Sequence, residues 1–293
     1  MAKPTETALY NRDVASVARN SPDAVIRTSE SAAKRLLTLS ASLPATHGWR
    51  ITTPASMATH TSGAEVSPQV VNAIYWQDMA RSMEAFSVLG VWRAAELMEL
   101  AIESMNRGAI LGPAVLIRAF LELSVAFLRT ANQVRNCVSE VTSGPVDGFL
   151  VSSELEEALL KRVYGTRIGN PPPEFLAYNV LTDIDKIGTW RRGKQLRGMY
   201  DSLCEVAHPN TMGYARFAAA VDKRHPDGSH TLRLERNALS THSRAIRETT
   251  LWAVGWGASA MLDGFQMIRT SISDVVTQWS GVDSMTSRNP HSG

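Results

Sequence analysis

The stretch from Ala114 to Leu128 constrains the fold of this chain more than any other. Val115, Leu116, Ile117, Phe120, Leu121, Leu123, Val125, Phe127 and Leu128 leave almost no polar face when wound at 3.6 residues per turn. A helix that is apolar nearly all round is normally buried. Two charges interrupt it: Arg118 and Glu122, four residues apart and therefore neighbours on the helix surface. A buried charge without a partner is costly, so both must be paired or hydrogen-bonded. The run is too short to cross a bilayer and carries those two charges, so no membrane partner is expected.

The flanking sequence supplies the layers to bury it. Ser67-Pro68 is a helix start, with Ser as N-cap and Pro in the first turn. Val71, Tyr75, Met79, Met83 and Phe86 then recur every three or four residues, and after Gly90 the stripe resumes at Leu97, Ala101 and Met105. Arg93, Glu96, Glu99 and Glu103 line a polar face, and Gly108 suits the position just past the helix end. Gly112-Pro113 opens the apolar helix after a short link, so the two form an antiparallel hairpin.

Further along, Asn132 to Ser152 is mixed, with a loop at Ser143-Gly-Pro145. Ser152 or Ser153 caps a third helix through Leu155, Leu159, Leu160 and Val163. Pro173-Glu174 is expected to start a fourth, with Phe175, Tyr178, Leu181, Ile184 and Ile187 as its stripe. Phe217, Ala219 and Val221 alternate, as do Leu232 and Leu234, around Pro226-Asp227-Gly228, which predicts a β-hairpin. A last helix runs from about Ser243 to Ser273. The expected fold is mainly α: an antiparallel helical bundle over residues 66–278 with a small β-hairpin before the last long helix. Residues 1–65 read as a flexible segment with one short helix, Ser29 to Leu43, and residues 279–293 as a disordered polar tail.

Composition narrows the function classes. Of 293 residues, 44% are hydrophobic and 20% charged, which is ordinary for a globular chain. A net charge of +2 gives no basic face for nucleic acid as a whole. The run Arg191-Arg192-Gly-Lys194-Gln-Leu-Arg197 reads as a solvated loop and first helical turn. Two cysteines, Cys137 and Cys204, build neither a disulfide framework nor a zinc site, and no N-terminal apolar core of a signal peptide is present. The expected compartment is the cytoplasm. No cofactor is expected.

Chemistry concentrates between Tyr200 and Tyr214. Tyr200, Leu203, Cys204 and Ala207 share one helical face, while Asp201, Glu205 and His208 follow on another. Pro209 disfavours the helical conformation for His208, which stops the helix there or one residue earlier. Four readings fit. A metal site is weakened because Glu205-Val-Ala-His208 has no second Glu-x-x-His copy. Acid/base chemistry would use His208 as the proton-transfer group, Glu122 or Glu205 to orient it, Arg118 on an anion and Tyr200 as a hydrogen-bond donor. A structural network would tie Glu205 to Arg118 and use Asn210 and Gly213 to build the turn. Ligand or partner binding at the same place, without turnover, is the fourth.

Arg118-Ala-Phe-Leu-Glu122 followed by Tyr-x-x-Leu-x-Glu-x-x-His-Pro-Asn over Tyr200 to Asn210 resembles a family of uncharacterised bacterial helical proteins. In layout these are similar to the HEPN superfamily, many of them ribonucleases in toxin–antitoxin and phage-defence systems. That resemblance implies an all-helical scaffold, RNA or a nucleotide as partner, and a homodimer. HEPN nucleases carry an Arg and a His separated by four to six residues on one helix. The spelling here is Arg236-Asn-Ala-Leu-Ser-Thr-His242, which runs from the end of the expected second strand into the next helix and so departs from that placement.

Overall fold

The computed structural model describes residues 8–50, 67–143, 148–188, 193–209, 211–215, 217–235 and 241–279. It is mainly helical, with one two-stranded antiparallel hairpin before the last long helix. The elements are α1 (Arg12–Arg19), α2 (Ala24–Arg27), α3 (Ser29–Ser42), α4 (Pro68–Asn106), α5 (Leu111–Thr142) and α6 (Ser153–Tyr164). After a 3-10 turn at Pro173–Phe175 come α7 (Val180–Gly188), α8 (Gly193–Ala207), α9 (Thr211–Ala215), β1 (Ala218–Arg224), β2 (His230–Leu234) and α10 (Thr241–Trp279). The chain divides into two compact units. One comprises Met1–Ser42, Trp92–Val125 and Val180–Leu262; the other comprises Leu43–Val91, Ala126–Asn179 and Asp263–Gly293.

The link between α4 and α5 follows from its glycine. Gly108 adopts φ 83°, its N–H reaches the Met105 carbonyl at 2.9 Å, and the Ala109 N–H reaches the Ser104 carbonyl at 3.1 Å. This double closure satisfies the last carbonyls of α4 and reverses the chain. Helix α5 continues to Thr142, well past the apolar run, through a segment whose mixed composition does not announce it. At 32 residues it is long and apolar enough to cross a bilayer by length and composition alone, a test that core helices of soluble proteins also pass. Ile117, Phe120, Leu121, Val125 and Phe127 are buried, but Val115 is exposed, so the helix is not enclosed on every side.

In the second unit the packing centres on Phe127. Its ring stacks on Phe86 of α4 with centroids 5.1 Å apart and planes 18° apart. A Cβ on Gly90 of α4 would lie 2.6 Å from that ring, and one on Gly264 of α10 would lie 2.9 Å from it. The two glycines therefore make the room the ring occupies, and the break that Gly90 puts in the apolar stripe of α4 is a docking slot. The same unit pins residues 148–152 to α4. The side chain of Asn72 donates to the Gly148 carbonyl at 2.9 Å and accepts from the Leu150 N–H at 2.8 Å. The Tyr75 hydroxyl donates to the Ser152 carbonyl at 3.1 Å and accepts from the Ser152 N–H at the same distance.

Two expectations need correcting. The N-terminal segment holds two helices besides the one expected, because distant contacts organise it. Asn11 caps α1 by accepting from the Val14 N–H at 2.9 Å. Its own N–H donates to the Asn106 side chain at 2.9 Å and its amide to the Asn106 carbonyl at 2.7 Å. Tyr10 is buried and donates to the Ser29 hydroxyl at 3.1 Å. No local period marks these residues; an amide pair spanning most of a hundred positions does the ordering. The helix expected from Pro173 is only the 3-10 turn, and the regular helix restarts at Val180. Thr166 donates to the Phe175 carbonyl at 2.8 Å and accepts from the Ala177 N–H at 3.1 Å, which holds Leu176 extended beside it.

The hairpin follows its turn residues. Val221 lies opposite Leu232 and Arg224 opposite His230. Gly228 takes φ 85°, and the Asp227 carboxylate accepts from the Ser229 N–H at 2.9 Å and hydroxyl at 2.7 Å. Those two bonds hold the Asp227 carboxyl below its ordinary range. Every residue of β2 is exposed. Apart from Trp279, which closes α10, the expected C-terminal tail falls outside the described residues.

Candidate functional site

Arg118 and Glu122 face the same way from α5 because they are one helical turn apart. Tyr200, on the apolar face of α8, comes to meet them. Its hydroxyl donates to Glu122 Oε1 at 2.9 Å and accepts from Arg118 Nη2 at 3.5 Å. The guanidinium carbon of Arg118 lies 5.7 Å from the centre of the Tyr200 ring. Arg118 Nε approaches Glu122 Oε1 to 3.3 Å, an ion pair, but the angle makes no hydrogen bond and that buried N–H has no hydrogen-bond partner. Both charged side chains are 31% exposed, whereas Tyr200 is 5% exposed. The charges thus meet water on one side, which lowers the desolvation cost that full burial would impose.

Burial is the main reason the Tyr200 hydroxyl is pushed up to about 12, with the Glu122 carboxylate and the Cys204 thiol adding to it and Arg118 opposing it. The Arg118 guanidinium is in turn held charged more firmly than usual, first by the Tyr200 hydroxyl. At neutral pH this tyrosine is a fixed donor to a carboxylate. It is not a base.

The remaining site residues lie elsewhere. The Glu205 side chain is on the exposed side of α8. His208 is exposed just past the end of α8, its backbone N–H donating to the Cys204 carbonyl at 3.0 Å. Neither is among the groups that bond to, or act electrostatically on, Arg118 and Tyr200. The expected tie between Glu205 and Arg118 is therefore replaced by one between Tyr200 and Glu122. The reason is helical geometry: Glu205 is five residues from Tyr200, well round the helix from the face that meets α5. Gly213 lies within α9 rather than in a turn, and a Cβ there would sit 3.1 Å from the His208 carbonyl oxygen and 3.3 Å from that of Val206. Asn210 and Arg236 fall outside the described residues, and His242 is in the first turn of α10.

The sequence assigned Cys204 a place on the face of Tyr200 and no further role. It is half-buried and acts on both Arg118 and Tyr200. Its position one turn after Tyr200 on the same face was the available signal. Asp183 is buried, while Asp185 is exposed and pairs with Arg197 at 3.2 Å. Arg197 also bonds both carboxylate oxygens of Asp201 at 3.0 Å within α8, and its pair with Asp185 is the contact that ties α8 to α7. Among the described residues no group of three His, Cys, Asp or Glu side chains is placed to hold a metal ion. No family model, no curated protein and no solved structure matches this chain.

Proposed function

We propose that the chain is a non-catalytic ligand- or partner-binding module whose Arg118–Glu122–Tyr200 cluster is a structural junction between α5 and α8. One observation carries this reading: the Tyr200 hydroxyl is bonded to both Glu122 and Arg118, at 2.9 and 3.5 Å. Acid/base chemistry on RNA or a nucleotide requires a proton-transfer group beside the anion-binding arginine. His208, the residue suited to that role, is not among the partners of Arg118. The hydrogen bond from Tyr200 to Glu122 instead gives the direction-dependent contact that sets how two helices meet.

The test is a cleavage assay on single-stranded RNA and on nucleotides, with the unaltered chain beside His208→Ala and Arg118→Ala. Neither chemistry is expected from the unaltered chain, and Arg118→Ala is expected to lower the melting temperature while His208→Ala leaves it in place. Turnover that disappears in a fully folded His208→Ala variant would overturn the reading in favour of a HEPN-like nuclease.

A further inference from the structure

The first unit carries a second concentration of charge, away from the residues discussed so far. One side of α3 forms an open groove of about 580 Å³, with Leu262 of α10 contributing to its lining. Three cations line it: Arg27 at the end of α2, and Lys34 and Arg35 on α3. Leu39 and Leu262 give it an apolar wall, and the Ser31 and Thr38 hydroxyls lie between.

The charges in this groove are unevenly matched. Glu30 is the one acidic residue in the lining. Its Oε1 already accepts from the backbone N–H groups of Leu9 at 2.7 Å and Tyr10 at 3.2 Å. Its pairing with Lys34 is long, at 3.7 Å. Arg27 is held in place by the carbonyls of Ser21 at 2.9 Å and Pro22 at 2.6 Å, both through Nη1, which leaves the other edge of its fork unused among the described residues. Arg35 is exposed and makes no hydrogen bond or ion pair among the described residues. A fixed guanidinium, an unpaired one and an ammonium on one short surface match the oxygens of phosphate groups. The volume falls within the range of small-molecule sites, and the leucines suit a flat or apolar remainder.

We infer that the α3 groove binds a phosphorylated small molecule of nucleotide size, with Arg27, Lys34 and Arg35 on its phosphates and Leu39 and Leu262 against the rest. Polyphosphate chemistry accounts for three cations better than a single carboxylate would, because Glu30 reaches only Lys34, and at 3.7 Å, while Arg27 and Arg35 have no acidic partner among the described residues. Arg27 needs little further ordering to take part, since two carbonyls already position it.

The experiment is calorimetric titration of the full chain with pyrophosphate, tripolyphosphate and adenosine triphosphate in turn. Lys34→Ala and Arg35→Ala are the variants, and Arg224→Ala, an exposed cation on the hairpin, is the control. Saturable binding that weakens with added salt is expected, with each groove substitution costing about tenfold in affinity, as for a lost charge-assisted contact. Lys34 and Arg35 are surface side chains, so both variants are expected to melt with the unaltered chain. The Arg224→Ala control is expected to bind as before. No saturable binding at millimolar concentration of any of the three ligands would overturn the inference, as would binding indifferent to both groove substitutions. Capture by anionic phospholipid vesicles or by RNA, with none of the small polyphosphates bound, would overturn it too. The groove and the Arg118 junction stand separately: turnover that depends on His208 would count against the non-catalytic reading and leave the binding result intact.

Discussion

In the first half of α5, Arg118 and Glu122 meet Tyr200 through a hydrogen bond of 2.9 Å, a longer one of 3.5 Å and a half-exposed ion pair. In its second half, Phe127 is 1% exposed, stacked on Phe86 and closely approached by Gly90 and Gly264. Both fasten the same helix, and they do so by opposite means. The apolar contact depends on volume: an aromatic ring fills a slot that two missing side chains create, and nothing else of that shape is at hand. The polar one depends on direction, and water stands ready to replace each partner because the charges are partly exposed. The dry contact should therefore dominate stability. The wet one should set geometry.

Breaking the dry contact gives the largest expected effect. Phe127→Ala should cost about 3–5 kcal/mol in urea denaturation, from lost burial plus the cavity left behind. Gly90→Ala is next and more discriminating. On helix propensity alone it would stabilise by about 1 kcal/mol. With its Cβ 2.6 Å from the Phe127 ring it should instead destabilise, by about 1–3 kcal/mol as overpacked cores do. A stabilised variant would mean that the slot is not filled as described.

On the polar side, Tyr200→Phe keeps the ring and removes only the hydroxyl, so a loss of about 1 kcal/mol is expected, the net value of an ordinary hydrogen bond. Its effect on alkaline stability separates the two contacts further. A tyrosine in the unfolded chain ionises near pH 10, whereas Tyr200 in the fold is pushed up to about 12, chiefly by burial. Its contribution is therefore fully present below the unfolded value and is lost as pH rises through the folded one. Melting temperature should fall across that window, less steeply in Tyr200→Phe. Part of the fall should remain, since burial raises Tyr10 and Tyr75 as well. The smallest effect is His208→Ala: an exposed side chain outside both contacts should change stability by no more than about 0.5 kcal/mol.

Much of this layout was legible where the cause is local. Gly108 announced the end of α4 and Asp227-Gly228 announced the hairpin turn, because φ > 0 is needed at each glycine. The apolar run and its two charges announced both that α5 would be a central helix and that Arg118 and Glu122 would find a partner. What the sequence hid is what depends on residues far apart. The ordering of Tyr10 and Asn11 rests on Ser29 and Asn106, and the slot for Phe127 needs Gly90 and Gly264, each on a different helix. The partner of Arg118 was misread for a related reason. Glu205 offers a charge and was the obvious choice, but the face of α8 turned to α5 is the apolar one, and the polar group on that face is a phenol.

A double-mutant cycle between Glu122→Ala and Tyr200→Phe, read by urea denaturation beside control cycles that pair each of them with His208→Ala, tests the structural reading most directly. A coupling of about 1 kcal/mol between Glu122 and Tyr200, with His208 additive to both, is the expected result. Additive Glu122 and Tyr200 substitutions, together with coupling of that size between His208 and either of them, would contradict it.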